Sequence, residues 1–199
     1  MVLINLSVLN KKNIAALITY FVAFTMFGLD QWTKQMVIDA MPINIDIAHT
    51  TFGNHESYKF LPFLWFTHVV NFGSAFSTFY GKRYLLLTLV GTIILGMIVY
   101  ERTSSRIRPK ILSFSLGFLL AGALGNWIDR LRLGYVTDFL DFRYNSQNMF
   151  PIFNVADISV NIGIGLLIIY SFFIEGKLKA EENNMEDDEI LDTSKSNPI

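Results

Sequence analysis

The sequence predicts an all-α membrane protein: four transmembrane helices, with a small extracytoplasmic β or amphipathic platform between the first and the second. Three observations carry that reading. Of the 199 residues, 52% are hydrophobic and only 17% charged, a balance too apolar for an ordinary soluble domain. Four uncharged runs of 17 or 18 residues occupy 13–29, 84–100, 111–128 and 158–174. The basic residues gather in the connections that flank those runs.

Each run nearly crosses a hydrocarbon core of about 30 Å at about 1.5 Å per residue, and flanking polar residues complete the crossing. The first continues to about residue 33. Lys11 and Lys12 ahead of an apolar stretch resemble a secretory leader, but no small-x-small cleavage site follows. The run passes instead into Gly28-Leu29-Asp30-Gln31-Trp32, and it is read as a retained span.

The segment between the first two spans is more than a linker. Residues 58–66 (YKFLPFLWF) and 67–72 are rich in aromatic and β-branched side chains, and Gly53-Asn54 marks a turn before them. A small sheet or a half-immersed platform fits this composition, and so does an aromatic belt at the lipid headgroups. The connection 101–110 carries Arg102, Arg106, Arg108 and Lys110. Together with Lys11, Lys12, Lys177 and Lys179 it puts both termini on the cytoplasmic side, so 30–83 and 129–157 face outward. Gly122 and Gly125, beside Ala121 and Ala123, would let the third span pack closely on a neighbour.

Charge is distributed unevenly. The net formal charge is −1, yet residues 1–180 hold 15 Lys and Arg against 10 Asp and Glu, and 181–192 hold seven acids and no base. Residues 1–180 are therefore read as one membrane domain and 181–199 as an acidic, disordered cytoplasmic tail. Scattered basic residues give no footprint for nucleic acid. The absence of cysteine excludes disulfides, thiol catalysis and Cys-based metal sites.

No HExxH, GxSxG, phosphate loop or dinucleotide fingerprint is present. No metal and no cofactor is expected. His49, His55 and His68 lack ligand spacing and are read as exposed or interfacial. Ser74 and Ser77 near Lys82 allow a Ser–Lys hydrolase, though the Gly-Ser-Ala context is equally a packing surface. The outer-face carboxylates carry more. Asp30 precedes Lys34 by four residues and Asp129 precedes Arg130, which points to structural ion pairs. Asp141, with Arg143 two residues on, is read as solvated.

Asp138 and Asp157 differ, since each lies in an apolar frame without a sequence-local cation. A carboxylate at the edge of a membrane span is costly and calls for a function. Two that meet there cannot readily both ionise, and a shared proton suits acid–base attack of water on a peptide bond. The alternatives are that each caps a helix or meets an arginine such as Arg130. Asn71, Asn126 and Asn154 sit at outer helix ends, where an amide either orients a carboxylate, binds a peptide backbone or caps a helix.

The residues also resemble a known family. Asp30-Gln31-x-Thr33-Lys34, the block Asn71-Phe72-Gly73-Ser74-Ala75-Phe76-Ser77, the run 122–130 (GALGNWIDR) with Val136-Thr137-Asp138-Phe139, and Phe153-Asn154-Val155-Ala156-Asp157 are similar, in order, to the blocks of lipoprotein signal peptidase, or signal peptidase II. The likeness covers about residues 14–174. It implies an intramembrane aspartic endopeptidase of the bacterial cytoplasmic (inner) membrane. Such enzymes cut diacylglyceryl-modified prolipoproteins just before the lipidated cysteine. It implies Asp138 and Asp157 as the catalytic pair. Asn71, Gly73, Asn126, Arg130 and Asn154 then support the substrate, and Asp30 and Lys34 match positions tied to stability or activity. Globomycin is the implied inhibitor, and membrane lipid the implied surroundings. Ala121-Gly122-Ala123 stands where many members carry paired glycines. A loop with Trp65, Phe66 and Phe72 is expected to cover the cleft. The rival readings are a small proton-coupled transporter and a structural scaffold whose acids pair with Arg130 and Arg132.

Overall fold

A computed structural model describes residues 6–43, 57–73, 82–103, 108–145 and 147–176. It contains four helices of membrane-spanning length and composition: α1 (Leu6–Ala40), α2 (Arg83–Thr103), α3 (Lys110–Arg132) and α4 (Val155–Ile169), the last continued by a π-helical turn at Tyr170–Ile174. Backbone polar groups in lipid must be satisfied within the segment, so uncharged runs of this length become helices. Phe21, Phe24, Leu89, Leu95 and Phe172 remain exposed on the bundle, which matches apolar side chains to apolar solvent.

α3 is the central helix, packed against α1, α2 and α4. With little hydrophobic drive between helices in lipid, close approach depends on small residues. A Cβ at Gly122 would run into the Ala156 carbonyl and Val160 of α4. One at Gly125 would meet the Asp30 carboxylate and Ala156. Polar stitches reinforce the contacts. Thr19 Oγ1 donates to the Ser113 carbonyl (3.2 Å), Ser115 Oγ to that of Gly163 (2.8 Å) and Trp127 Nε1 to that of Leu87 (2.9 Å). At the end of the bundle away from the sheet, a buried ion pair joins Glu101 to Arg108 across the α2–α3 connection.

At the other end lies an antiparallel sheet in the order β1 (Ser57–Lys59), β2 (Leu64–Asn71), β3 (Val136–Tyr144), β4 (Gln147–Asn148). The expected platform therefore exists, but half of it comes from the segment after α3. β2 and β3 pair Leu64 with Phe142 and Val69 with Asp138, with a bulge between Phe66 and Val69. Three sequence-based boundaries move. Asp138 lies on a strand rather than at a helix edge, α1 runs to Ala40, and α4 begins at Val155, which draws Asp157 into its first turn.

Several single-residue expectations change with the sheet. Asp141 is fully buried, bonded by Thr67 Oγ1 (2.8 Å) and Arg143 Nε (2.7 Å), because inward-facing β3 positions alternate past it. His68 is buried too, with Nδ1 2.7 Å from the Met41 carbonyl just past the end of α1. Trp65 and Phe66 are β2 residues rather than loop residues. The Arg143 guanidinium lies over Trp65, and Phe66 stacks on Phe139. Phe72 meets Tyr135 edge-on. His49, His55, Ser74, Ser77 and the acidic stretch 181–199 lie outside the described residues.

Candidate active site

The site begins with the local sequence Asn154-Val155-Ala156-Asp157. Asn154 adopts the extended conformation of an N-cap, and its Oδ1 accepts the Asp157 N–H (3.0 Å). Asp157 Oδ2 in turn accepts the Asn154 N–H (3.1 Å). This reciprocal capping box satisfies two orphan donors at the start of α4. The helix-capping alternative is thus correct for Asp157. It uses one oxygen; the other, Oδ1, accepts Asn126 Nδ2 from α3 (2.9 Å). Asp157 is half-buried, at the positive end of the α4 dipole.

Asp138 approaches from β3 and is 4% exposed. Its Oδ1 accepts Asn154 Nδ2 (2.6 Å) and its Oδ2 accepts Asn71 Nδ2 (3.0 Å). Asn71 is itself held in place, because its Oδ1 accepts the Gly73 N–H (3.0 Å) and the Gly73 carbonyl accepts Arg130 Nη2 (2.5 Å). Burial, and then the charge of nearby Asp157, lift the Asp138 carboxyl to about 7. Amide hydrogen bonds from Asn71 and Asn154 and the charge of Lys34 pull the other way without overcoming them. The two aspartates therefore sit in one coupled site, bridged by a single residue, Asn154.

Beneath them lies a buried ionic layer. Lys34 is 2% exposed, and its ammonium is 2.9 Å from Asp30 Oδ2, 3.0 Å from Asp129 Oδ2 and 3.1 Å from Asn126 Oδ1. Its three N–H donors thus meet three acceptors, the condition under which burying an ammonium is tolerable. Asp30 Oδ1 reaches on to the Ala156 N–H (2.8 Å), so α1 caps α4 as well. The Asp30–Lys34 pair is as expected. Asp129, by contrast, pairs with Lys34 rather than Arg130, since adjacent residues on a helix point about 100° apart. Arg130 donates to the carbonyls of Gly73 and Asn126 (3.1 Å), and the described salt bridges do not join it to an aspartate.

All nine residues singled out in the sequence converge here: Asp30, Lys34, Asn71, Gly73, Asn126, Arg130, Asp138, Asn154 and Asp157. Two further residues join them. Gln31 Nε2 donates to Asp129 Oδ1 (2.9 Å), and Asp129 Oδ2 accepts the Thr137 N–H (3.2 Å). The helical spacing of Asn126, Asp129 and Arg130 at i, i+3 and i+4 was a readable signal that they share a face.

Fold and site together define a multi-pass membrane protein that buries ionisable side chains at one end of its bundle, a placement that marks function. Residues 22–173 match the family model described as signal peptidase (SPase) II. The chain is 40% identical over 163 residues to a lipoprotein signal peptidase of Alteromonas mediterranea, covering 80% of this chain and 82% of the relative. It is 32% identical over 164 residues to one from Brevibacillus brevis, covering 79% and 96%. A bacterial membrane enzyme solved by the in meso method at 2.3 Å superposes with a TM-score of 0.65 at 30% identity, covering 83% of this chain and 90% of that one. The chain belongs to the signal peptidase II family and is a membrane protease. These relatives lend no support to a transporter.

Proposed function

We propose that this protein is an aspartic endopeptidase that removes the signal peptide from diacylglyceryl-modified prolipoproteins, cutting before the lipidated cysteine, with Asp138 and Asp157 as its catalytic pair. The observation that carries the reading is the Asn154 bridge. One residue binds both carboxylates, and Asp138 is held to a proton near neutrality by burial and by the charge of Asp157. Nucleophilic serine or cysteine chemistry has no comparable constellation among the described residues.

The chemistry follows from the asymmetry of the two acids. Asp157, at a helix N-terminus with an N–H on each oxygen, is the ionised member. It takes a proton from water as the oxygen attacks the scissile carbonyl carbon. Asp138, buried and protonated, gives its proton to the carbonyl oxygen, leaving a neutral gem-diol. Asp157 then passes its proton to the amide nitrogen and the C–N bond breaks. A diol hydroxyl returns its proton to Asp138, so both acids end as they began. The products are a signal peptide with a free carboxyl end and a lipoprotein with a free amine.

Asn71, Gly73, Asn126, Arg130 and Asn154 hold the acids and the substrate backbone, while Asp30 and Lys34 fix the layer beneath. The substrate arrives by lateral diffusion, anchored by its own signal helix and acyl chains, so proximity is supplied by the bilayer. In this reading the protein sits in the bacterial cytoplasmic membrane with both termini inside and the site near the outer face. Residues 1–180 form the peptidase, 181–199 are an appendage, and a globomycin-type inhibitor occupies the cleft. The test is cleavage of a diacylglyceryl-prolipoprotein by purified wild type, Asp138→Asn and Asp157→Asn, each checked by thermal melt. Cleavage by wild type alone, with all three folded, is expected; turnover by either variant at the wild-type rate would exclude the dyad.

A further inference from the structure

We propose that Asp129 is a positioning residue that sets Asp138 by serving as the missing strand neighbour of β3; this rests on the peptidase reading above. β3 is paired with β2 on one side, Val70 lying opposite Thr137. On the other side, β4 reaches only Arg143 and Tyr144, and a bridge joins Leu140 to Phe153. No described strand covers residues 136–138 there. The Thr137 peptide groups point to that open side and are met by side chains. Asp129 Oδ2 accepts the Thr137 N–H (3.2 Å), and Asn154 Nδ2 donates to the Thr137 carbonyl (3.3 Å). A strand residue adjoining a reacting carboxylate is thus clamped from α3 and α4, as a ladder partner would clamp it.

Asp129 is equipped for this task. It is buried, and its carboxylate is fixed by Gln31 at one oxygen and Lys34 at the other. Its backbone carbonyl accepts the Leu133 N–H (2.7 Å), which ends α3 just before the chain turns into β3. Neutralising Lys34 does not require it, because Asp30 already lies 2.9 Å from that ammonium. The contact Asp129 alone provides is the acceptor for Thr137. Positioning therefore depends on its hydrogen-bonding oxygen, and its charge is secondary.

The two roles separate in Asp129→Asn and Asp129→Ala. The asparagine keeps an oxygen for Thr137 and gives up the bond from Gln31, whose Nε2 stays held by Asp30 Oδ2 (3.2 Å). The full-length chain in lipid, with a diacylglyceryl-prolipopeptide substrate, is assayed for kcat and KM beside a melt of each variant. D129N is expected to lower kcat by no more than about three-fold, the scale of one imperfect hydrogen bond. D129A is expected to lower kcat by about 100-fold with KM within about three-fold, as for a displaced reacting group. Equal losses in both variants would assign Asp129 to the ion pair and overturn the proposal, and so would wild-type turnover by D129A. If D129A fails to melt cooperatively, D129N decides: a kcat loss beyond about ten-fold overturns the proposal, and a smaller one supports it. An inactive wild type would instead refute the peptidase reading itself.

Discussion

The side-chain amide of Asn154 lies 2.6 Å from Asp138, while the backbone N–H of the same residue lies 3.1 Å from Asp157. A single residue thus couples a strand carboxylate to a helix carboxylate and starts the helix that carries the second. In the proposed mechanism stability and activity converge on this position, and substitution can pull them apart. Asn154→Ala should cost about 1 kcal/mol through the lost N-cap and lower kcat by about 100-fold through the released Asp138. Asn154→Ser restores a good cap but cannot reach Asp138. Its melting temperature should return toward wild type while kcat stays low, a pattern that melts and single-turnover cleavage would read.

The Asp138 carboxyl, raised to about 7 by burial and by Asp157, must be protonated for the proposed step. Cleavage should therefore fall on the alkaline side with an apparent pKa near 7. Because the proton belongs to a coupled pair, the value describes the pair. A pH–rate profile still flat at pH 9 would contradict this assignment.

Stability should follow the same proton. The folded state holds it more tightly than the unfolded chain, whose Asp titrates at about 3.9. Stability is then fully present below that value and is lost as pH rises through about 7. Asp138→Asn keeps the shape without the ionisation. Its NH2 faces the Asn71 or Asn154 donor, which lowers its melting temperature by an amount independent of pH. Wild type should therefore lose stability relative to the variant between pH 5 and pH 8, as scanning calorimetry at several pH values would show.

Lys34 holds two buried carboxylates. Lys34→Met would leave Asp30 and Asp129 without their cation, and breaking a buried pair from one side costs about 3–5 kcal/mol. Arg should not rescue it, because a planar fork cannot replace a compact ammonium among three acceptors. Denaturant titration of both variants in micelles would test the point, and a wild-type midpoint for Lys34→Met would refute it.

Packing of α3 on α4 predicts a contrast between two glycines. Gly122→Ala must push against the Ala156 carbonyl and Val160, and overpacking of this kind costs about 1–3 kcal/mol. It also displaces the first turn of α4, so activity should fall with stability. A Cβ at Gly165 meets nothing within 4 Å, so Gly165→Ala should leave both unchanged. Equal melting temperatures for the two variants would remove the close contact from the argument.

The helices and most of the site were legible because their signals are local. An uncharged run of membrane length has one stable conformation in lipid, and capping was among the readings open to Asn154 and Asp157. Asp30 and Lys34 declare their pairing by spacing alone. Asp129 and Asp141 misled for the converse reason. Asp129 takes Lys34 in place of its neighbour Arg130, while Asp141 does meet Arg143 but is buried beneath Thr67 rather than solvated, and both outcomes depend on where distant segments arrive.

The sequence by itself determined that there are four spans and set Asp138 and Asp157 apart from the other outer-face acids, since both follow from hydropathy and charge pattern within short windows. The capping of α4 it left as one of two readings. Only the tertiary structure decided that β3 leaves the end of α3 to pair with β2 and carries Asp138 in to meet Asn154. That pairing joins Asn71 to Val136 and Val69 to Asp138. Its energy comes from contacts between segments far apart in the chain, so no local pattern could announce it.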